Sequence, residues 1–557
     1  MSTPRTPTRG GRSTRTSAPR RHTVPALVIL ALAPAAHAGN TTVALAMDGQ
    51  RIYVSSTLGS DAADGFTPGT AKRTLAAGHD LLHNRSPDQL LLRRGDVWLN
   101  QTPYPSDRTW HKSGLSAAQP IVIGAYGTAN ARPLIRTQSD AVRVQTSDGV
   151  SNVRFENLDF QALRTATNTP IGVTWWAAGG GFTMADCRVQ GFALNLNIDA
   201  PSPMAAGGFR FERCEILDAF PGPAGPSQGA FVAHVHSVLF DRCVFDRNGY
   251  RYPDKPPTML NHNCYFSQSA TGIVIQDSIV ARGSATGIQM RGQRMDSIRN
   301  LVLGNPLGIT MGHSAQTPDQ LSRGIIYGNA VIDGADIGWG AGTMPRGFGI
   351  GWGRATAAVI EDNIVAHGWT QSGTEPAYTV GDFALNTIVR GNVGFDWPGP
   401  IFSVRALLSP SAVIGDNTFV NMPGRTTASI DVPGAMPEDL GGIWTGNRYF
   451  GTGVRVFLPE TTSASGLANW EASTDDVVEI NDAGLTSADI SMPTYLLTVA
   501  PELATPADAT GALDVYLEHV RSTPIAEADP RFTAPAYIMW ARGRLGLPPL
   551  HAVPQLP

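Results

Sequence analysis

The chain has 557 residues, of which 60 are glycine and only 16% are charged. This composition favours short strands joined by tight turns and disfavours a mainly helical protein. The formal net charge is −4, which gives no basic surface for nucleic acid.

The first 38 residues predict an export signal. Six arginines and no acidic residues precede an apolar run, Val24 to Ala35, which leads to the cleavage-site pattern Ala36-His37-Ala38. The run is too short to span a bilayer. A basic arm that binds nucleic acid would explain the arginines but not the apolar run. We therefore expect a secreted or periplasmic protein, monomeric, with no membrane span and no nucleic-acid partner.

Residues 39–139 are expected to form an N-terminal cap and a first coil. A strand-like run at Ile52 leads into a turn rich in Gly, Asp and Pro, and Thr74 to Leu82 has helical periodicity. The segments LLRRGD and PIVIGAYG follow. This order resembles the start of secreted proteins of the pectate-lyase-like superfamily. The resemblance implies an all-β fold, a right-handed parallel β-helix, and leaves the substrate open.

An internal repeat supports that expectation from Val153 onward. Apolar residues alternate and are followed by a small polar residue, at spacings of 22 to 35 residues. Such a repeat predicts a solenoid over residues 140–457, with asparagines stacked at one turn. The polar position falls at Asn157, Cys187, Cys214, Cys243, Ser278, Asn300, Asn329, Asn363, Asn392, Asn417 and Asn447.

The four cysteines have two interpretations. In an exported protein they would first suggest two disulfides. Three of them, however, occupy the repeat position that asparagine takes later, and Cys264 has inward parity on a strand. We therefore predict buried free thiols.

Residues 458–557 are expected to form a C-terminal cap. Leu467 to Ala500 has no regular pattern, whereas Thr510 to Arg521 and Ala534 to Leu545 are helical in periodicity. The end of a solenoid exposes a strand edge that must be covered, so helices packed over the last coils are the expected structure.

Polar side chains recur at one strand of four consecutive coils. Strand alternation sends Tyr265, Gln289 and Arg291 to an outer face. We predict that His262, Tyr265 and Arg291 are catalytic, and that substrate is bound by His234, His236, Asn263, Gln289 and His313.

Each of these residues also has a structural interpretation. Histidines on a solenoid surface are often only hydrogen-bonded surface residues. Arg291 could pair with Asp296 or a backbone carbonyl, and Gln289 could complete a polar ladder.

A base, an acid and a cation on one face fit β-elimination of a uronate-containing polysaccharide. Glycoside hydrolysis needs two facing carboxylates, and Asp246 and Asp254 do not form an evident pair. A non-catalytic adhesin would use the same fold.

No catalytic metal is expected, because Ca²⁺ needs clustered carboxylates. Four tryptophans offer flat surfaces for sugar rings, although tryptophan is equally common inside a coil: Trp339, Trp352, Trp369 and Trp397.

Overall fold

The computed structural model describes residues 41, 43–104, 109–165, 167–223, 225–312, 321–334, 347–368, 375–405, 408–421, 430–431, 441–450, 456–457, 475–479, 488–522 and 529–556. The chain divides into two units, residues 1–35 and residues 36–557. The predicted export signal lies outside the described residues. No helix among the described residues is long and apolar enough to cross a membrane.

The described strands of the second unit form two hydrogen-bonded sheets, of 28 and 12 strands. The larger sheet consists of two series of strands, named sheets I and II, and the smaller is sheet III. Most coils contribute strands to sheets I, II and III in turn. All strand pairs that follow are parallel.

Sheet I contains β1 (Arg51–Val54), β2 (Gln89–Arg93), β4 (Ile121–Tyr126), β7 (Val150–Glu156), β10 (Gly179–Ala185), β13 (Ala206–Glu212), β16 (Val235–Asp241), β19 (Thr271–Gln276), β22 (Gln293–Ile298), β25 (Ser322–Tyr327), β28 (Ala355–Glu361), β31 (Ala384–Leu385), β32 (Ile388–Arg390), β35 (Val413–Gly415), β38 (Ile443–Phe450) and β40 (Asp475–Glu479).

Sheet II contains β3 (Val97–Leu99), β5 (Leu134–Thr137), β8 (Asp159–Ala162), β11 (Arg188–Gln190), β14 (Glu215–Leu217), β17 (Val244–Asp246), β20 (Ile279–Ala281), β23 (Leu301–Leu303), β26 (Ala330–Ile332), β29 (Ile364–Ala366), β33 (Val393–Phe395) and β36 (Thr418–Val420). It joins sheet I at β38, which pairs with both β35 and β36.

Sheet III contains β6 (Val142–Gln145), β9 (Ile171–Trp176), β12 (Leu194–Asp199), β15 (Gln228–Val232), β18 (His262–Phe266), β21 (Thr286–Met290), β24 (Leu307–Met311), β27 (Phe348–Trp352), β30 (Tyr378–Val380), β34 (Phe402–Val404), β37 (Ile430–Asp431) and β39 (Val456–Phe457).

This architecture confirms the predicted right-handed parallel β-helix. Inward side chains from the three sheets form one continuous apolar core, because strand alternation buries every second residue. Parallel pairing already links β1, β2 and β4 within residues 39–139. It also reaches β40 beyond residue 457. The division into cap, solenoid and cap remains a prediction.

Asparagines form a buried ladder at the turn between sheets I and II. In each step Oδ1 accepts the backbone N–H of the equivalent residue one coil earlier, at 2.9 to 3.1 Å. The ladder satisfies backbone groups that the turn would otherwise leave buried and unpaired. Its acceptors are Asn300, Asn329, Asn363, Asn392, Asn417, Asn447 and Asp476.

The first predicted ladder residue is wrong by one position. Register places Asp159 opposite Arg188, so Leu158, and not Asn157, is equivalent to Cys187. Asn157 instead has a φ of 59°. It occupies the left-handed position before the ladder, a conformation that asparagine tolerates better than most residues.

All four cysteines are free and buried. Cys214 and Cys243 donate to carbonyl oxygens of the coil before them, at 3.4 and 3.3 Å. Burial raises the pKa of the Cys264 thiol, so it remains a protonated, inward-facing group. These positions agree with the predicted free thiols.

Four α-helices complete the described part of the chain: α1 (Leu75–Asp80), α2 (Met492–Val499), α3 (Ala509–Ser522) and α4 (Ala534–Arg544). Short 3₁₀ turns occur at Pro68–Thr70 and Pro530–Phe532. The predicted helices near Thr74, Thr510 and Ala534 are confirmed. Helix α2 was not predicted, since residues 467–500 were expected to be irregular, although its buried residues Met492, Tyr495 and Leu496 have helical spacing.

The C-terminal helices pack along the flank of the solenoid, on the outer surface of sheet II. Leu217, Leu303 and Ile332 of that sheet share a buried cluster with Tyr516 and Ile538 of the helices. Arg542 of α4 also donates to the carbonyl oxygen of Asp362 at 3.1 Å. Short strands with apolar outer residues thus direct the helical cap to the side of the coils.

Candidate functional site

The outer surface of sheet III brings together residues from four neighbouring coils. Phe231 pairs with Tyr265, Tyr265 with Gln289, and Gln289 with Thr310. The alternate residues Cys264 and Phe266 are fully buried. Strand alternation therefore places these four side chains in one outward row, spaced about 5 Å apart.

Arg291 and His262 lie next to this row. Nη1 of Arg291 donates to the hydroxyl oxygen of Tyr265 at 3.3 Å. The rings of His262 and Tyr265 have centroids 5.3 Å apart, and the ring of Phe231 stacks on that of Tyr265 at 5.7 Å. The three residues predicted to be catalytic therefore form one cluster.

The side chain of Arg291 does not pair with Asp296. Asp296, its expected partner, accepts instead from the backbone N–H of Ile325 at 3.1 Å. Among the described residues, no carboxylate forms an ion pair with Arg291. Its backbone N–H donates to the carbonyl oxygen of Phe266 at 2.9 Å, which extends the parallel pairing one residue beyond β21 and fixes the start of the side chain.

His262 is held in its neutral form. Burial, and secondly the charge of Arg291, lower its pKa to about 3. Nδ1 accepts from the backbone N–H of Thr286 at 3.3 Å, so the ring proton is on Nε2. His262 is therefore a hydrogen-bond donor in the neutral pH range and a poor base.

Three buried polar atoms in this region have no hydrogen-bond partner among the described residues: Oε1 of Gln289, Nε of Arg291 and Oγ1 of Thr310. Such atoms are uncommon in folded proteins, because leaving one unsatisfied costs about 1–3 kcal/mol. Here they occur on two adjacent strands and the residue that follows one of them. Each of them would be satisfied by a polar ligand or an ordered water within hydrogen-bond distance.

The two upstream histidines do not lie in this row. Strand β15 ends at Val232, and His234 has a φ of 53°, which turns the chain into sheet I. Nδ1 of His234 lies 2.8 Å from Oδ1 of Asp199. His236 is on β16, where it pairs with Gly207 and Thr271. Aligning the coils by sequence placed both histidines on sheet III, and that placement is wrong.

Asn263 belongs to a second buried asparagine row at the corner between sheets II and III. Its Nδ2 donates to Oδ1 of Asn305 at 3.0 Å, and its Oδ1 accepts from Nδ2 of Asn248 at 2.9 Å. The side chain is fully buried. This position does not favour the predicted substrate contact. His313 lies outside the described residues.

Phe231 was missed by sequence reasoning. It has the same strand parity as Tyr265, but the predicted alignment of the coils placed His234 and His236 at this register instead. The tryptophans expected to contact sugar rings do not form an exposed surface within the described residues. Trp352 and Trp397 are buried, and Trp339 and Trp369 lie outside the described residues.

Carboxylates are absent from β15, β18, β21 and β24, the four described strands of the row. Asp246 is fully buried and paired with Arg282, and Asp254 pairs with Arg251. Among the described residues, no group of three or more His, Cys, Asp and Glu side chains is arranged to hold a metal ion.

Comparison with known proteins gives structural similarity only. The chain matches no protein-family model and no curated protein sequence. A GH136 lacto-N-biosidase from Eubacterium ramulus is 14% identical, with 78% of this chain and 67% of that chain covered and a TM-score of 0.36. XylC in complex with xylose is 9% identical, with 78% and 87% covered and a TM-score of 0.36. The A-module of the mannuronan C-5 epimerase AlgE4 from Azotobacter vinelandii is 11% identical, with 68% and 91% covered and a TM-score of 0.35. The fold assignment rests on the strand pairing itself.

Proposed function

We propose that the outer surface of sheet III cleaves a uronate-containing polysaccharide by β-elimination, in a protein that is exported. The contact between Arg291 and Tyr265, beside three unsatisfied polar atoms, carries the proposal. The contact brings together Tyr265, which can transfer a proton, and Arg291, a cation that can neutralise a carboxylate. Those are the two requirements of the reaction.

In the proposed reaction Tyr265 handles the protons. A base removes the proton from the carbon beside the uronate carboxylate, the bond to the neighbouring glycosidic oxygen breaks, and a carbon–carbon double bond forms. The departing oxygen takes up a proton. Because His262 is a poor base with a pKa of about 3, we assign proton removal to the oxygen of Tyr265 in its phenolate form, to which Nη1 of Arg291 donates. The hydroxyl formed in this step then returns the proton to the departing oxygen.

Arg291 stabilises the negative charge that accumulates on the carboxylate as the proton leaves. Its side chain is half-buried and forms no ion pair with a described carboxylate, and guanidinium groups bind carboxylates through paired hydrogen bonds. The amide of Gln289 and the Nε2–H of His262 are further donors beside it. Donors aimed at developing charge are commonly the largest contribution to catalysis.

Hydrolysis is less well supported at this surface. It requires an acid and a second carboxylate across the scissile bond, and the four described strands carry neither Asp nor Glu. A binding protein without activity would use the same donors but would need no group that transfers a proton.

The test is an activity assay on a panel of uronate polymers. β-Elimination creates an unsaturated uronate that absorbs ultraviolet light, hydrolysis gives reducing ends without that absorbance, and an adhesin gives neither. We expect Arg291→Ala to lower turnover by at least about 100-fold, or about 3 kcal/mol, as loss of one such donor typically does. Tyr265→Phe should lower it at least as far while keeping the ring stack on Phe231.

Arg294→Ala is the matched control. Arg294 is an exposed arginine three residues from Arg291, and its loss should leave turnover unchanged. Full activity in Arg291→Ala would show that the active surface lies elsewhere. Reducing ends without ultraviolet absorbance would replace the proposal with hydrolysis.

A further inference from the structure

A cleft of about 620 Å³ lies between the ends of the sheet II strands and the loop of residues 247–261, which joins β17 to β18. Gln161 and Gln190 line it from adjacent strands, where they are in register. The loop is held by two backbone hydrogen bonds between Arg251 and Lys255, both 2.7 Å long. Tyr252, near the tip of the loop, is 59% exposed. The cleft is large enough for a short oligomer.

Two guanidinium groups share the ring of Phe220 at this cleft. Arg164 lies 4.2 Å and Arg251 3.9 Å from the ring centroid. Burial, and then the charge of Arg251, lower the pKa of Arg164. Nε of Arg164 is buried without a partner, and no described carboxylate forms an ion pair with this residue. The positive charge of Arg164 and Arg251 around Phe220 is therefore only partly neutralised by neighbouring carboxylates.

The deeper charges of the cleft are already committed. Asp246 is fully buried and accepts from Arg282 at 2.8 and 2.5 Å and from Arg521 at 2.6 Å. Asp218 also accepts from Arg521. This network attaches helix α3 to the solenoid, so these groups serve the fold.

The charges at the rim are available. The side chains of Arg247 and Arg251 are each 49% exposed, and they pair with the exposed acids Asp514 at 3.6 Å and Asp254 at 2.5 Å. Exposed pairs contribute little to stability, so a ligand carboxylate can compete for these arginines.

We propose that this cleft is a second saccharide-binding site, selective for short uronate oligosaccharides and separate from the surface of sheet III. Tyr252 offers an exposed aromatic ring to a sugar face. The amide nitrogens of Gln161 and Gln190 already donate to Asp159 and Asp218, so these residues offer their amide oxygens to hydroxyls. Arg247 and Arg251 offer planar donors to carboxylates.

The experiment uses the full chain with Tyr265→Phe and Arg291→Ala, so that turnover at the surface of sheet III is lowered. Calorimetric titration with galacturonate and mannuronate tetrasaccharides is compared with cellotetraose, a neutral tetrasaccharide. At least one uronate ligand should bind, more weakly as salt rises, and at least about tenfold more tightly than cellotetraose. Adding Arg247→Gln and Tyr252→Ala should weaken that binding at least about tenfold, as loss of central Arg and Tyr contacts does.

Arg242→Gln is the matched control. The side chain of Arg242 is 52% exposed and forms an ion pair with a carboxylate, as that of Arg247 does. Both residues have φ near 50°. Any of four results would overturn the proposal. The Arg247 and Tyr252 variant could keep its uronate affinity, or the Arg242 control could lose as much affinity. Cellotetraose could bind as tightly as the uronate ligands, or no uronate ligand could bind at all. Because calorimetry measures binding directly, with every variant in one background, the outcome is independent of the lyase assay.

Discussion

Replacing Asn363 by alanine removes one complete step of the asparagine ladder. The side chain is fully buried. Its Nδ2 donates to the carbonyl oxygen of Ile326 at 2.8 Å and to Oδ1 of Asn392 at 2.9 Å. Its Oδ1 accepts from both the backbone N–H and Nδ2 of Asn329, each at 2.9 Å. Alanine keeps none of these four bonds.

The magnitude follows from what each partner retains. Nδ2 of Asn329 still donates to the carbonyl oxygen of Ser297, and Oδ1 of Asn392 still accepts the backbone N–H of residue 363. The backbone N–H of Asn329 has no other acceptor. A hydrogen bond contributes about 1 kcal/mol net, and a buried unsatisfied donor costs about 1–3 kcal/mol. We therefore expect the free energy of opening this coil to fall by about 4 kcal/mol.

Hydrogen exchange followed by mass spectrometry measures this change locally, which suits a repeat fold whose unfolding need not be two-state. Amides of residues 321–334 should exchange about 1,000-fold faster, since each 1.4 kcal/mol is a factor of ten. Asn197→Ala is the control, because Asn197 is half-buried on the outer side of sheet III. It should change exchange by less than about threefold. Wild-type exchange in Asn363→Ala would show that the ladder does not stabilise the coils.

Two further predictions concern the cysteines and His262. Thiol titration of the denatured, unreduced protein should find four thiols per chain, and finding none would restore the disulfide interpretation. The pKa of folded His262 is lowered to about 3, whereas an unfolded histidine titrates near 6.5. The unfolded chain therefore takes up the proton first, and His262 lowers stability as pH falls below about 6.5. From pH 7 to 5 the loss should be about 2 kcal/mol greater in the wild type than in His262→Gln, measured by hydrogen exchange of β18 amides in the two proteins at each pH, and equal losses would contradict the burial of this ring.

Local pattern was sufficient for the solenoid and for part of the candidate site. The repeat predicts the parallel coils because each coil can bury its inward residues only against the next. Alternation along β18 and β21 predicts that Tyr265 and Gln289 face outward, since successive side chains point to opposite sides of a strand. The same argument identified the cysteines as ladder residues, because they recur at the asparagine position.

Strand ends and corners were not predictable in this way. Alternation does not say where a strand stops, so His234 and His236 were extended onto sheet III although the chain turns after Val232. It also does not distinguish an outward residue from one enclosed at a corner, which is why Asn263 was expected at the surface. Both errors arise because corners are set by contacts between coils that are distant in sequence.

The sequence alone thus determined the β-helix, the small turn residues and the outward parity of Tyr265 and Gln289, because these depend on periods of two residues and of one coil. Only the tertiary structure decided that Arg291 meets the hydroxyl of Tyr265, that Phe231 stacks beside it, and that the C-terminal helices cover sheet II. Those contacts join separate coils or distant segments. They follow from the register and the path of each loop, neither of which any local period encodes.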